Sequence, residues 1–247
     1  MIRPIAVVFL VLTAATPATA VTCGQTRFED VPYTVCEVDA RTERMELFLR
    51  DADGQIFGQF TSVNAALEAD GQKLAFAMNA GMYHDNRAPV GLYVEDSVEE
   101  MNVVPNAGPG NFGLLPNGVF CIRNKRADVI ETRRFIDATP ECTNASQSGP
   151  MLVIDGALHP RFLPDGTSKF IRNGVGTSAD GTRAFFAISE EPVNFHGFGR
   201  FFRDYIKVPN ALYLDGNISR LYAPQIGRSD FGFALGPIVG VVEDHGQ

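Results

Sequence analysis

The sequence predicts a single α+β domain, largely an antiparallel curved β-sheet with a few packed helices. Three observations point there. Short apolar stretches recur with alternating spacing, clusters of Gly, Pro, Asn and Asp punctuate them as turns, and only two stretches carry a helical period. No fixed-period repeat, low-complexity tract or convincing linker divides the chain, and 247 residues with 45% hydrophobic content can bury a substantial core.

Taken in chain order, the first element is MIRPIAVVFLVLTAATPATA. Arg3, an apolar run from Ile5 to Leu12 and the small-x-small triplet Ala18-Thr19-Ala20 read as an export signal over residues 1–20, leaving residues 21–247 as the folded domain. The apolar run is too short to span a bilayer, and no later segment is long and apolar enough, so the mature chain is expected without a membrane span, periplasmic or secreted. The competing reading of residues 1–20 is an uncleaved anchor. In RMELFLR, Met45, Leu47 and Leu49 alternate with Glu46 and Phe48, as in a half-buried strand. Ser62 is placed to cap a helix running from Val63 to about Ala69. Three hairpins are expected, turning at Pro116-Asn117-Gly118, Ala179-Asp180-Gly181 and Asp215-Gly216-Asn217. Phe198, Phe201, Phe202, Tyr205 and Ile206 fall at helical spacing, and an aromatic stripe of that kind packs a core more often than it binds a ligand.

Composition narrows the function. The formal charge of -8 becomes -9 when the leader takes Arg3 and no acid with it, a balance that argues against nucleic acid as a partner. All four cysteines, Cys23, Cys36, Cys121 and Cys142, lie beyond the leader, and an even count in an exported chain reads as two disulfides. Three connectivities are open; the local pairs Cys23–Cys36 and Cys121–Cys142 are favoured because each closes a short loop. No Cys/His cluster suggests zinc.

The polar residues with chemical potential sit at strand ends. Asn79 closes KLAFAMNA, Arg172 and Asn173 follow Phe170-Ile171, and Asp215 closes NALYLD, each beside small residues or Gly that let a ligand approach the backbone. Each has a plainer reading: Asn79 and Asp215 as turn residues, His84 beside Asp85 as a solvated loop pair, Arg172 as a surface ion pair. Arg172 is the preferred anion ligand, because a guanidinium pairs with phosphate or carboxylate and Asn173, Gly174 and Gly176 add backbone N–H groups around it. Glu190 ends AFFAIS as a second carboxylate, with Glu191 facing the other way. Ser148 in QSGPMLV lacks the spacing of a hydrolase nucleophile elbow. Arg87 reads as a surface or loop-packing residue.

In combination, NAGMYHD, PVGLYVE, GNFGLLPNGVF, SGPMLVIDG, RNGVG and LYLDGNIS resemble the phosphodiester glycosidase family, over about Arg44 to Val242. Within it the chain looks most like an exported bacterial branch. Where other members carry an Asn-Gly-Gly-Phe-Phe-like block, Asn79 and Gly81 match while Ala80, Met82 and Tyr83 depart conservatively; where they often carry Asp-Gly-Gly-Gly-Ser, this chain has Asp215-Gly216-Asn217-Ile218-Ser219. The resemblance implies hydrolysis of a sugar-1-phosphodiester, small molecule or envelope glycopolymer, at the anomeric carbon–oxygen bond. The residues found suit that reaction: Asp215 is the expected catalytic carboxylate, with Glu190 as its substitute, Arg172 the expected cation and His84 a proton or hydrogen-bond donor. Asn79, Gly81, Asp85, Ser148, Asn173, Gly174, Gly216 and Asn217 are the expected substrate contacts. No cofactor is expected and no catalytic metal, a structural divalent cation remaining compatible. The competing functions are a non-catalytic envelope module binding the same ligand, and a metal-dependent phosphodiesterase using Asp85, Asp155 and Asp215.

Overall fold

The computed structural model describes residues 21–215 and 218–245. Residues 1–20, the expected leader, and Gly216 and Asn217 of the third expected turn lie outside them. The described residues form a single α+β domain of antiparallel sheets with three α-helices, as the patterning predicts. A seven-stranded sheet runs in spatial order Thr22–Phe28, Val31–Asp39, Arg183–Ser189, Asn173–Thr177, Asn210–Tyr213, Met151–Ile154 and Ala157–Leu158. A five-stranded sheet runs Arg228–Ser229, Leu221–Ala223, Gln72–Asn79, Ile238–Asp244 and Arg44–Phe48. A second five-stranded sheet runs Val98–Met101, Tyr93–Glu95, Asn144–Ser148, Gly118–Arg123 and Arg126–Glu131.

The three sheets meet in one core. Phe186 of the seven-stranded sheet lies 4.8 Å, centroid to centroid, from Phe76 of the first five-stranded sheet and 5.6 Å from Phe120 of the second. All three rings are buried, and each such ring removes a large apolar area from water. A second cluster packs the aromatic stripe on the outer face of the seven-stranded sheet: Tyr33 stacks on Phe201 at 3.8 Å, with Phe198 and Phe202 beside them.

Local expectations are borne out in part. Arg44–Phe48 is a strand with Met45 and Leu47 inward, the turn at Ala179-Asp180-Gly181 joins two paired strands, and both local disulfides are present. The first expected hairpin is corrected. Gly118–Arg123 turns at Asn124-Lys125 and pairs with Arg126–Glu131, while Leu114 and Leu115 belong to no strand, because Asn117 is buried and spends its amide on Phe112 O and Thr132 Oγ1. The third is corrected too. Asn210–Tyr213 and Leu221–Ala223 belong to different sheets, so the chain crosses between layers at Asp215 instead of folding back. The first helix starts at Phe60, earlier than Ser62 suggests, with Gln59 at its cap position. The aromatic stripe spans an α-helix, Phe195–Arg200, capped by Asn194 through Gly197 N, and a π-helical turn, Phe201–Ile206; Tyr205 therefore faces solvent. The short helix Thr132–Ala138 has no counterpart in the sequence reading.

Candidate functional site

Two sheets are stitched together by an asparagine pair. Asn79 is the last residue of Gln72–Asn79 and Asn173 the first of Asn173–Thr177, and both side chains are fully buried. Asn79 Nδ2 donates to Asn173 Oδ1 at 3.3 Å, and Asn173 Nδ2 returns a bond to the Asn79 carbonyl at 3.1 Å. The same Asn173 Oδ1 accepts from Ser219 Oγ at 3.2 Å and from the Asp215 backbone N–H at 3.4 Å. Asn79 Oδ1 accepts from the Arg220 backbone N–H at 2.8 Å. Buried amides satisfied on both ends hold their neighbours to one geometry, since any displacement strands a polar group away from water. Asp215, at 6% exposure, projects from this junction where the chain leaves one sheet for the other.

Two phenols flank Asp215, and each has a buried guanidinium beside it, Arg220 by Tyr83 and Arg172 by Tyr213. Tyr83 lies in the short bend after Asn79 and faces the Asp215 carboxylate; burial, followed by that carboxylate, holds its hydroxyl protonated well above the usual range. Tyr213 is two residues before Asp215, and burial pushes its phenol up to about 12. Arg172 is completely enclosed: Nε donates to Val193 O at 2.9 Å, Nη2 to Ser168 O at 3.0 Å, and its guanidinium carbon sits 3.7 Å from the Phe195 ring centroid and 5.1 Å from that of Tyr213. The guanidinium also raises no charge conflict with the Tyr213 hydroxyl, the polar group that faces it. Burial lowers the Arg172 pKa from its ordinary value, a cost offset by cation–π contact and two carbonyls. The surface ion-pair reading of Arg172 is therefore corrected. Arg220, 5% exposed, is the second buried guanidinium, donating to Gln59 Oε1 and the Phe233 carbonyl.

A family model described as phosphodiester glycosidase matches residues 72–230, and the uncharacterized protein YigE of Escherichia coli (strain K12) is 35% identical over 217 residues, 87% of this chain and 84% of that one. The chain belongs to the phosphodiester glycosidase family. Its fold is similar to the catalytic domain of zebrafish N-acetylglucosamine-1-phosphodiester α-N-acetylglucosaminidase auto-inhibited by its pro-peptide, with a TM-score of 0.61, 13% identity and coverage of 92% of this chain and 85% of that one. A hypothetical protein from Synechocystis is similar at a TM-score of 0.57 and 13% identity, over 90% of this chain and 61% of that one.

The site residues expected from the sequence distribute unevenly. Asn79, Arg172, Asn173, Gly174 and Asp215 gather at the junction, and Ser148 backs it, its Oγ donating to the Leu214 carbonyl. Gly81 and Gly174 admit protein: a Cβ at Gly81 would collide with the Gln147 carbonyl, and one at Gly174 would lie 2.7 Å from the Leu212 carbonyl. His84 and Asp85 are exposed on the bend Tyr83–Pro89, with no hydrogen bond between their side chains in the described structure. Arg87 packs over the Tyr83 ring at 5.4 Å, which fits a loop-packing role and puts it beside the site. Glu190 is engaged elsewhere, accepting from Arg228 Nη1 at 2.5 Å and Thr34 Oγ1 at 2.6 Å. Among the described residues no group of three His, Cys, Asp or Glu gathers as a metal site, and Asp155 is ion-paired with Arg134 at 2.8 Å. Sequence reasoning missed Tyr83 and Arg220. No local signal marks Arg220, whose partners Gln59 and Phe233 come from other parts of the chain.

Proposed function

We infer that this protein is an exported hydrolase that splits a sugar-1-phosphodiester, of the N-acetylglucosamine-1-phosphodiester type, between the anomeric carbon and the bridging oxygen. The observation that carries the reading is the junction itself: in a phosphodiester glycosidase, one carboxylate, Asp215, leaves a buried asparagine pair that joins two sheets, its N–H on Asn173 and the phenols of Tyr83 and Tyr213 beside it. Zebrafish N-acetylglucosamine-1-phosphodiester α-N-acetylglucosaminidase shares this fold, which supports the choice of substrate class.

Each group has a task. Cleavage at carbon leaves the bonding electron pair on oxygen, giving a phosphomonoester, while positive charge grows on the sugar ring. Asp215 answers that charge as nucleophile, base or electrostatic partner. The phosphate departs as a stable anion, so fixed positive charge counts for more than a strong acid. Arg172, enclosed by rings, supplies its charge from behind the site, through the Tyr213 ring and not by direct contact with the phosphate. His84, exposed at the rim, passes a proton or hydrogen bond to the leaving group. Asn79 and Asn173 position Asp215. Gly216 and Asn217, next in the chain, are proposed to border the sugar, and no cofactor enters the scheme.

Turnover of a GlcNAc-1-phosphodiester by Asp215→Asn is expected to fall by about 10²–10⁴-fold, the usual size of a proton-transfer or nucleophile contribution, and Arg172→Ala to fall with it. Near-wild-type turnover in both folded variants would place the chemistry elsewhere. Reaction in ¹⁸O-water, with chelator present, is expected to label the released sugar and leave the phosphomonoester unlabelled; label on phosphorus identifies a phosphodiesterase, and binding without release a non-catalytic module.

A further inference from the structure

Phe231 and Phe233 are the most exposed large apolar side chains among the described residues, at 84% and 80%. They flank Gly232, in a segment held at both ends and in the middle. Asp230 N–H donates to Leu221 O at 3.0 Å, Gln59 Nε2 to Gly232 O at 2.8 Å, Arg220 Nη2 to Phe233 O, and Leu235 N–H to Gly58 O at 2.8 Å. A Cβ at Gly232, whose φ is +155°, would lie 2.7 Å from Arg220 Nη2, so this backbone rests directly on the guanidinium. Arg220 is also the residue whose N–H binds Asn79 Oδ1. One buried side chain thus ties the phenylalanine segment to the amide pair beneath Asp215. Phe170 and Ile171, 50% and 36% exposed, adjoin the same pair through Ser219 Oγ, which donates to both Ile171 O and Asn173 Oδ1.

Large apolar groups held rigidly in water beside a polar centre mark a ligand contact more than a folding element, since folding gains nothing from leaving them out. Their backbone order is already established, so a ligand settling there meets little ordering cost. Phenylalanine offers a hydroxylated ring no hydrogen-bond partner, whereas it gains from covering hydrocarbon. The polar groups around Asp215 suit a sugar and a phosphate. The phenylalanines suit what the phosphate carries on its other side.

We propose that Phe231 and Phe233, with Phe170 adjoining, form a subsite for an apolar aglycone, making the substrate a sugar-1-phosphodiester of a hydrocarbon or aromatic alcohol. This rests on the reading of Asp215 as the centre of a phosphodiester glycosidase site that cleaves a sugar-1-phosphodiester at carbon. The test compares the decyl and methyl esters of GlcNAc-1-phosphate, below micelle formation, on wild type and on the Phe231→Ala/Phe233→Ala double variant, with folding checked by thermal melting. Wild type is expected to show a KM about tenfold lower for the decyl ester, a difference within the reach of two aromatic contacts. In the double variant the ratio falls to about one. Equal KM values in wild type, or an unchanged ratio in the variant, overturn the subsite and leave the proposed reaction standing. Should neither ester be hydrolysed, the reaction reading fails by itself. Calorimetry with decyl phosphate against methyl phosphate then decides the subsite: tighter decyl binding that the double variant loses sustains it, and equal affinities overturn it. Loss of binding to phosphatidylcholine–phosphatidylglycerol vesicles in the variant, with the ester preference intact, identifies a membrane contact and also overturns it.

Discussion

Asn173 shows how much one side chain organises. Its Oδ1 collects Asn79 Nδ2, Ser219 Oγ and the Asp215 N–H, and its Nδ2 reaches the Asn79 carbonyl. Asn173→Ala strands several of these buried groups, so urea unfolding is expected to show a loss of about 1–3 kcal/mol. Turnover of the remaining folded protein should fall as well, because Asp215 loses its backbone anchor; unchanged turnover would separate the amide pair from the site. At this scale the sequence was informative where a polar residue adjoins an apolar run beside small residues, which is how Asn79, Asn173 and Asp215 stand out, although Asn173 opens its strand instead of following one. It was silent where function depends on enclosure. Nothing local distinguishes Arg220 from a surface arginine, and nothing local reveals that Glu190 meets Arg228, a residue distant in sequence.

Strands and turns behave differently from single residues. Alternation identified Arg44–Phe48, and Asp180 with Gly181 identified a real hairpin, where Asp180 Oδ1 takes bonds from Ser178 and Thr182 and Gly181 adopts φ +72°. Turn chemistry says that the chain bends; it does not say which strand receives it. That is why Pro116-Asn117-Gly118 and Asp215-Gly216-Asn217 were mistaken for hairpins. The aromatic stripe was legible as core, and the switch to a π-helical turn at Phe201 was not, because it answers to packing against Tyr33. Gly174 belongs at this scale too. Its strand approaches Asn210–Tyr213 closely enough that Gly174→Ala would press a methyl to 2.7 Å from the Leu212 carbonyl and 3.2 Å from Leu152 Cδ1. Overpacking of that kind is expected to cost about 1–3 kcal/mol, seen as a lowered Tm. An unchanged Tm would show that the two strands can part.

For the whole molecule, the sequence and the disulfides point the same way. Val21 is 4% exposed and its carbonyl accepts from Gln225 Nε2, so cleavage after Ala20 would leave a first residue already packed into the domain. Export of the full chain is expected to yield a protein whose N-terminal sequence reads Val-Thr-Cys and whose thiol titration finds no free cysteine; a retained Met1 would contradict it. Family membership, the α+β class and the strand-end polar residues were readable from the chain because alternation, turn residues and short motifs are local properties of sequence. The assembly of three sheets on Phe76, Phe120 and Phe186, the enclosure of Arg172 and the fastening of Phe233 to Asn79 through Arg220 were decided by tertiary structure alone. Each joins residues far apart in sequence, and what selects among such pairings is the burial of apolar area and the satisfaction of polar groups over the whole fold, which no short window of sequence contains.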